Sequence, residues 1–345
     1  MKERLLIVGT NWIGDSVMSL AAVRELRRLF PESHLAILAR PWVAGIFESQ
    51  GILDEVLVPA ENSGFAGDLL NTAGRLKGFH RAFLFPNSFR AALTAFLARV
   101  PARFGYRTDG RGLLLTHKAR PRILRLKRHQ IYYYLDLLYQ TGISSRDYLK
   151  DSGFQPDIGL KATEEGLRSA RRVLEDAGLP PGRPLVVLNP GAHYGPAKRW
   201  PSERYARLAD RLISEANVSV VIIGSRSEEP VARSISKFMT GCPLVLTGKT
   251  NLITLIGLLS LSRLLVTNDS GPMHLAAALD TPQISLFGST DETATGPFSR
   301  RAEVIHKHVE CSPCLLRECP IDLRCFTRIE VDEVYESARE ALNDV

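Results

Sequence analysis

No apolar run in this chain is long enough to cross a bilayer: the longest, residues 252–266, is interrupted by Thr254, Ser260, Ser262 and Arg263. A strand pattern begins within a few residues of Met1, so the amino terminus lacks the charged-then-apolar order of a signal peptide. There is no Asp-x-Asp pair, the usual carboxylate arrangement for a diphosphate-bound divalent metal, and the expectation is that catalysis requires no cofactor. Nor does a Gly-x-Gly-x-x-Gly follow any strand, as a nicotinamide enzyme would need. Low-complexity segments and short-period repeats are missing too. The expectation is a cytosolic globular protein, and 345 residues that are 45% hydrophobic and 23% charged suit about two domains.

Charge is present in excess and unevenly placed. The net charge of +7 owes much to one stretch holding Arg99, Arg103, Arg107, Arg111, Lys118, Arg120, Arg122, Arg125, Lys127 and Arg128 against Asp109 alone. A basic block of this kind implies an anionic partner, whether nucleic acid, an anionic membrane surface or a polyanionic substrate. A solvated face is the plainer reading. Attraction to the inner leaflet of a membrane follows from the same charge.

Strand-like and helix-like segments alternate along the chain, the pattern of parallel sheets covered by helices on both faces. Strands are predicted at residues 5–8, 35–38, 55–58 and 82–85, and in a second series at 185–189, 218–223, 244–246, 264–267 and 283–287. The polar segment 147–160, with Gly153, Pro156 and Gly159, separates the two series. The expected class is α/β, with two Rossmann-like doubly wound domains facing a cleft: residues 1–160, residues 161–330, and a closing amphipathic helix from 331.

Three strand-to-helix turns carry the chemistry. Gly9-Thr-Asn-Trp-Ile-Gly-Asp-Ser16 has the glycine spacing of a phosphate-binding P-loop with aspartate in place of its lysine. A carboxylate there repels phosphate, so Asp15 reads either as a base facing a neutral hydroxyl or as a helix cap. The run Asn189-Pro-Gly-Ala-His-Tyr-Gly-Pro-Ala-Lys-Arg-Trp-Pro201 turns tightly and brings Lys198 and Arg199, with His193, to a place where a phosphate would approach. In Val266-Thr-Asn-Asp-Ser-Gly-Pro-Met-His274, Asp269 or Ser270 could cap the next helix, Gly271 permits close approach, and His274 lies one turn further in. Glu228 or Glu229, also after a strand, could hydrogen-bond a ribose.

Four of the five cysteines cluster as Cys311, Cys314, Cys319 and Cys325. In a cytosolic chain this spacing suggests a metal site, with structural zinc the candidate, although the second pair lacks the close repeat of a zinc ribbon. Free thiols or a redox-labile pair are the alternatives.

Gly14-Asp15, Pro-Gly-Ala-x-x-Gly-Pro-Ala-Lys-Arg-Trp-Pro and Thr-Asn-Asp-Ser-Gly-x-Met-His together resemble the lipopolysaccharide heptosyltransferases of glycosyltransferase family 9, over nearly the full length. Within that family, Leu84-Phe-Pro-Asn-Ser-Phe-Arg-Ala-Ala-Leu93 is most similar to members that add the second heptose of the inner core, with transferases of the first or a later heptose as the rival. The resemblance implies a GT-B fold, an acceptor-binding first domain and a second domain that binds ADP-heptose. Asp15 would be the general base, Lys198 would meet the donor phosphates, and Asp269, Ser270, Gly271 and His274 would line the donor site. The acceptor would be heptosyl-Kdo2-lipid A, at the cytoplasmic face of the inner membrane, contacted by Asn11, Trp12, Asn87, Arg90, Arg107, Arg120 and Arg122 of a monomer. A nucleic-acid-binding protein would use the basic stretch but leave the turns unexplained.

Overall fold

The computed structural model describes residues 2–343 except Ser49, Asn62, Pro181 and Cys242. It divides into two compact units, the first running to Ile158 and the second starting at Gly159. Each contains one parallel sheet of six strands.

In the first unit the strands are β1 (Arg4–Val8), β2 (His34–Leu38), β3 (Glu55–Leu57), β4 (Arg81–Leu84), β5 (Ala102–Tyr106) and β6 (His117–Ala119). Their order is β3-β2-β1-β4-β5-β6. The sheet reverses direction of growth between β1 and β4, whose register pairs Val8 with Leu84. Leu5, Leu6 and Ile7 are wholly buried because helices cover both faces, so β1 reads as a continuous apolar run. Helix Ile13–Leu29 follows β1 and turns Val17, Leu20, Val23 and Leu26 inward.

The second unit repeats the plan with β7 (Leu185–Asn189), β8 (Ser219–Ile222), β9 (Leu244–Val245), β10 (Leu264–Asn268), β11 (Gln283–Phe287) and β12 (Ala302–His306), ordered β12-β11-β10-β7-β8-β9. Here the switch lies between β7 and β10, where Thr267 pairs with Asn189. The long apolar stretch of the sequence resolves into helix Leu252–Leu261 followed by β10. That helix meets helix Glu164–Asp176 backbone to backbone, since a Cβ on Gly257 would lie 2.2 Å from the Gly166 carbonyl oxygen. The final helix, Val331–Asn343, is part of the second unit's own core: Val334, Tyr335 and Ala338 pack with residues of β7, β8, β10 and β11.

Strands β5, β6 and β12 are absent from the strands read off the sequence. Two of them, β6 and β12, are sheet edges whose residues are mostly exposed or half-buried, so no apolar run marks them. The third, β5, starts inside the basic stretch, with Arg103 as its second residue.

Candidate active site

In doubly wound sheets the loops leaving the two strands beside the switch point diverge and open a crevice at the carboxyl edge. Both units place their chemistry there. In the first, β1 is followed by Gly9, where a Cβ would press within 3.2 Å of both Ile37 and the Leu38 carbonyl oxygen. Trp12 occupies the N-cap of helix Ile13–Leu29 and provides no side-chain cap, so Asp15 lies within the first helical turn and is not the N-cap residue. Its carboxylate is half-buried, and Oδ1 accepts a 2.9 Å hydrogen bond from the Tyr134 hydroxyl.

Tyr134 belongs to helix Ile131–Gln140 and is 2% exposed. Burial first, and then the charge of Asp15, pushes its phenol well above the usual tyrosine range, so it stays a proton donor to the carboxylate. The positive end of the helix dipole favours the charge at the same place. Asn87, which follows β4 across the switch point, is also fixed: its Oδ1 accepts from Tyr133 at 2.7 Å and from Arg111 at 3.2 Å. Arg111 is fully buried and donates also to the carbonyls of Tyr106 and Pro86.

In the second unit, the loop 190–199 leaves β7. Both of its glycines lie in close approach, and the backbone contact makes glycine necessary at one: a Cβ on Gly191 would sit 2.1 Å from the side-chain Oε1 of Glu228, and one on Gly195 would sit 2.3 Å from the Arg317 carbonyl oxygen. Asn189 Nδ2 donates to Thr267 Oγ1 at 2.8 Å and Ser270 Oγ at 2.6 Å, while Asn268 Nδ2 donates to the Pro190 carbonyl at 2.7 Å. The two strand ends are thereby stitched together. Lys198 Nζ donates to Asp269 Oδ2 at 2.6 Å and lies 5.1 Å from the Tyr194 ring centroid; Thr290 Oγ1 donates to the same carboxylate oxygen at 2.7 Å.

Helix Gly271–Ala278 starts beside this pair, with His274 buried one turn inside. The expected cap is not made. Asp269 is committed to Lys198 and Thr290, and Ser270, although in the N-cap position, turns its hydroxyl to Asn189 and Thr267, so it provides no side-chain cap hydrogen bond. Glu228 closes a capping box with Ser225, accepting from its backbone N–H at 2.7 Å, and its carboxylate rests against Gly191. His193 is exposed on the loop, and Arg199 donates back to the Ala192 carbonyl at 3.0 Å.

The model of glycosyltransferase family 9 (heptosyltransferase) matches residues 73–324. The chain belongs to this family. It is 33% identical over 319 residues to lipopolysaccharide heptosyltransferase 2 of Salmonella typhimurium, spanning 88% of this chain and 87% of that one. Against lipopolysaccharide heptosyltransferase 2 of Escherichia coli the identity is 32% over the same length and 88% of this chain. The solved structure of E. coli ADP-heptose lps heptosyltransferase II matches with a TM-score of 0.82 at 28% identity, covering 99% of this chain and 98% of that one. A family 9 glycosyltransferase of Veillonella parvula, at 22% identity and a TM-score of 0.85 over 99% of this chain and 98% of that one, shares the fold. The α/β pair of doubly wound units is the GT-B class of these neighbours, and the enzyme is a glycosyltransferase.

The family 9 chain distributes its predicted acceptor residues unequally. Asn11 and Trp12 are exposed at the first turn, and Trp42 donates its indole N–H to the Asn11 carbonyl at 2.8 Å. Arg90, in the first turn of helix Phe89–Leu97, stacks over Phe65 at 5.0 Å. Arg107 and Arg120 are exposed. Arg122, by contrast, is turned inward: it donates to the fully buried Asp136 at 3.0 Å and to Asp147 at 2.8 Å, which makes it a strut of the fold. The basic stretch is similarly depleted by Arg103, whose guanidinium donates to backbone carbonyls of its own unit.

The expected cysteine site is corrected as well. Cys311, Cys314, Cys319 and Cys325 are free thiols, and among the described residues no three of them bring their sulfurs within 4.8 Å of one another, so the structure does not support the expected zinc site. Cys325 is buried in the core cluster while Cys311 is exposed, and burial pushes the Cys325 thiol up to about 11. Among the described residues, no helix is long and apolar enough to cross a membrane.

Sequence reasoning missed Tyr133, Tyr134, Arg111 and Thr290. Three tyrosines in a row at 132–134 were the available signal, but a phenol that aims at a carboxylate is indistinguishable in sequence from one that fills a core.

Proposed function

We propose that this glycosyltransferase moves a heptose from ADP-heptose to a hydroxyl of the first heptose of the lipopolysaccharide inner core, heptosyl-Kdo2-lipid A, with inversion. The observation that carries the chemistry is Asp15, a carboxylate at the switch point of the first sheet held by the buried phenol of Tyr134. The substrate class rests on the likeness to the two lipopolysaccharide heptosyltransferases 2 over 88% of the chain.

In this reading Asp15 takes the acceptor proton as the anomeric carbon develops oxocarbenium character. Lys198 and the uncapped start of helix Gly271–Ala278 stabilise the departing ADP. An ammonium has three N–H donors and Asp269 engages one direction, so Lys198 is aimed yet retains donors for a phosphate. His193, Arg199, Ser270 and His274 surround the diphosphate, and Glu228 beside Gly191 takes the ribose. Asn11, Trp12, Asn87, Arg90, Arg107 and Arg120 meet the acceptor, whose carboxylates and phosphates suit arginine. No step uses a cofactor. The first unit is the acceptor domain and the second the donor domain of a monomer that docks peripherally on the cytoplasmic face of the inner membrane.

Mass spectrometry of lipid products tests the proposal, using purified protein, ADP-heptose and either Kdo2-lipid A or its mono-heptosylated form. Extension of the mono-heptosylated acceptor alone is expected. Extension of the bare Kdo acceptor alone would make this a first-heptose enzyme, and extension of neither would overturn the donor assignment.

A further inference from the structure

Strand pairing brings three further polar side chains together at the sheet edge of the second unit. Phe287, the last residue of β11, pairs with His306, the last of β12, and β11 is followed by the short helix Glu292–Thr295. Glu292, His306 and His308 therefore emerge side by side. His306 Nδ1 lies 2.8 Å from Glu292 Oε2, and His308 Nε2 lies 3.5 Å from Glu292 Oε1. The two imidazoles stack with centroids 4.3 Å apart, and one ligand atom from each of the three residues falls within 4.8 Å of the others. The His306 side chain is only 3% exposed.

The ring of His306 is held in one orientation. Ser312 Oγ donates its single proton to the Gly288 carbonyl, which can only accept. The same oxygen lies 2.9 Å from His306 Nε2, so it accepts there and that nitrogen carries the N–H. With Nε2 held in this way, His306 presents Nδ1 to Glu292 and His308 brings Nε2 to the same carboxylate, so one divalent ion can take a ligand atom from each of the three residues.

We propose that Glu292, His306 and His308 form a binding site for a first-row divalent metal ion, with Ser312 and the Gly288 carbonyl fixing the orientation of His306. Two imidazoles and a carboxylate suit Zn2+, Co2+ or Ni2+ and leave a position for water. A hydrogen bond from the distal ring nitrogen to a fixed acceptor is what metal-bound histidines usually have. The ion is structural in its placement: Thr290, two residues before Glu292, holds Asp269, while Leu315 and Arg317, downstream of His308, hold Tyr194 through 2.8 Å bonds. It would brace the two segments that flank the loop 190–199.

The test uses chelator-stripped full-length protein titrated calorimetrically with ZnCl2, and CoCl2 followed by its visible spectrum. One ion per chain and tetrahedral cobalt bands without a thiolate charge-transfer band are expected, unchanged in the double variant Cys311→Ser, Cys314→Ser. His308→Asn, at a 72% exposed side chain that the fold does not need, should weaken binding roughly tenfold or more, and Ser312→Ala by about ten- to a hundredfold. Absence of binding by the unaltered protein, undiminished binding by His308→Asn, or a thiolate band lost with Cys311 would each overturn the proposal.

Discussion

At the scale of single residues, the decisive distinction is between side chains that the fold has used and those it has left for a ligand. Asp15 has a donor on one oxygen and a helix dipole beneath it, a charged group held in one geometry. Asp15→Asn is expected to lower turnover about a hundredfold or more with ADP-heptose binding retained, measured by steady-state kinetics and equilibrium binding; near-normal turnover would leave it only a structural role. Arg122 is the opposite case. Removing it leaves the buried carboxylate of Asp136 without its ion-pair partner and with the Gln140 amide as a donor, so Arg122→Ala should cost about 3 kcal/mol in denaturant unfolding, and a variant of unchanged stability with a raised acceptor KM would contradict the strut assignment. Sequence shows Arg107 and Arg122 as equivalent members of one basic block. Only their partners tell them apart.

At the scale of elements, the three strand-to-helix turns were legible because their chemistry is local: a strand, a glycine or proline turn and an apolar-periodic helix lie within about fifteen residues. Their internal logic was less so. Ser270 and Asp269 have the composition of caps, yet longer-range partners claim both side chains, and the helix start is left open. Glycines in the loop 190–199 likewise answer to distant chain. Gly195→Ala would drive a Cβ against the Arg317 backbone, which cannot swing aside, whereas at Gly191 the obstruction is the mobile end of Glu228. Gly195→Ala should therefore displace the loop at a cost of about 1–3 kcal/mol and raise the donor KM more than Gly191→Ala does. Equal effects of the two variants in donor titrations would show that the backbone contact does not position the loop.

For the whole molecule, two parallel sheets with buried faces were readable from alternating apolar strands and helices, while β6 and β12 escaped because edge strands need no apolar run. Burial also sets the response to alkali. Tyr106, Tyr133, Tyr134 and Tyr205 are all shifted upward chiefly by burial, Tyr133 to about 12. An unfolded phenol ionises near 10, so the stabilisation is complete below about pH 10 and is lost as pH rises through the folded values. Melting temperature recorded from about pH 9 to about pH 12 should hold and then fall steeply; a flat profile would mean these phenols ionise in place. By itself the sequence determined the strands that form the sheet centres, the turns at their carboxyl ends and the residue types offered there, because dihedral preference and apolar periodicity act over a few neighbouring residues. Tertiary structure decided that Tyr134 meets Asp15 across 119 positions, that Asp269 meets Lys198 across 71, that Arg122 pairs with Asp136 and Asp147, and that Glu292, His306 and His308 converge. Those pairings follow from strand order and register, which are settled by how whole sheets bury their faces and are written in no local pattern.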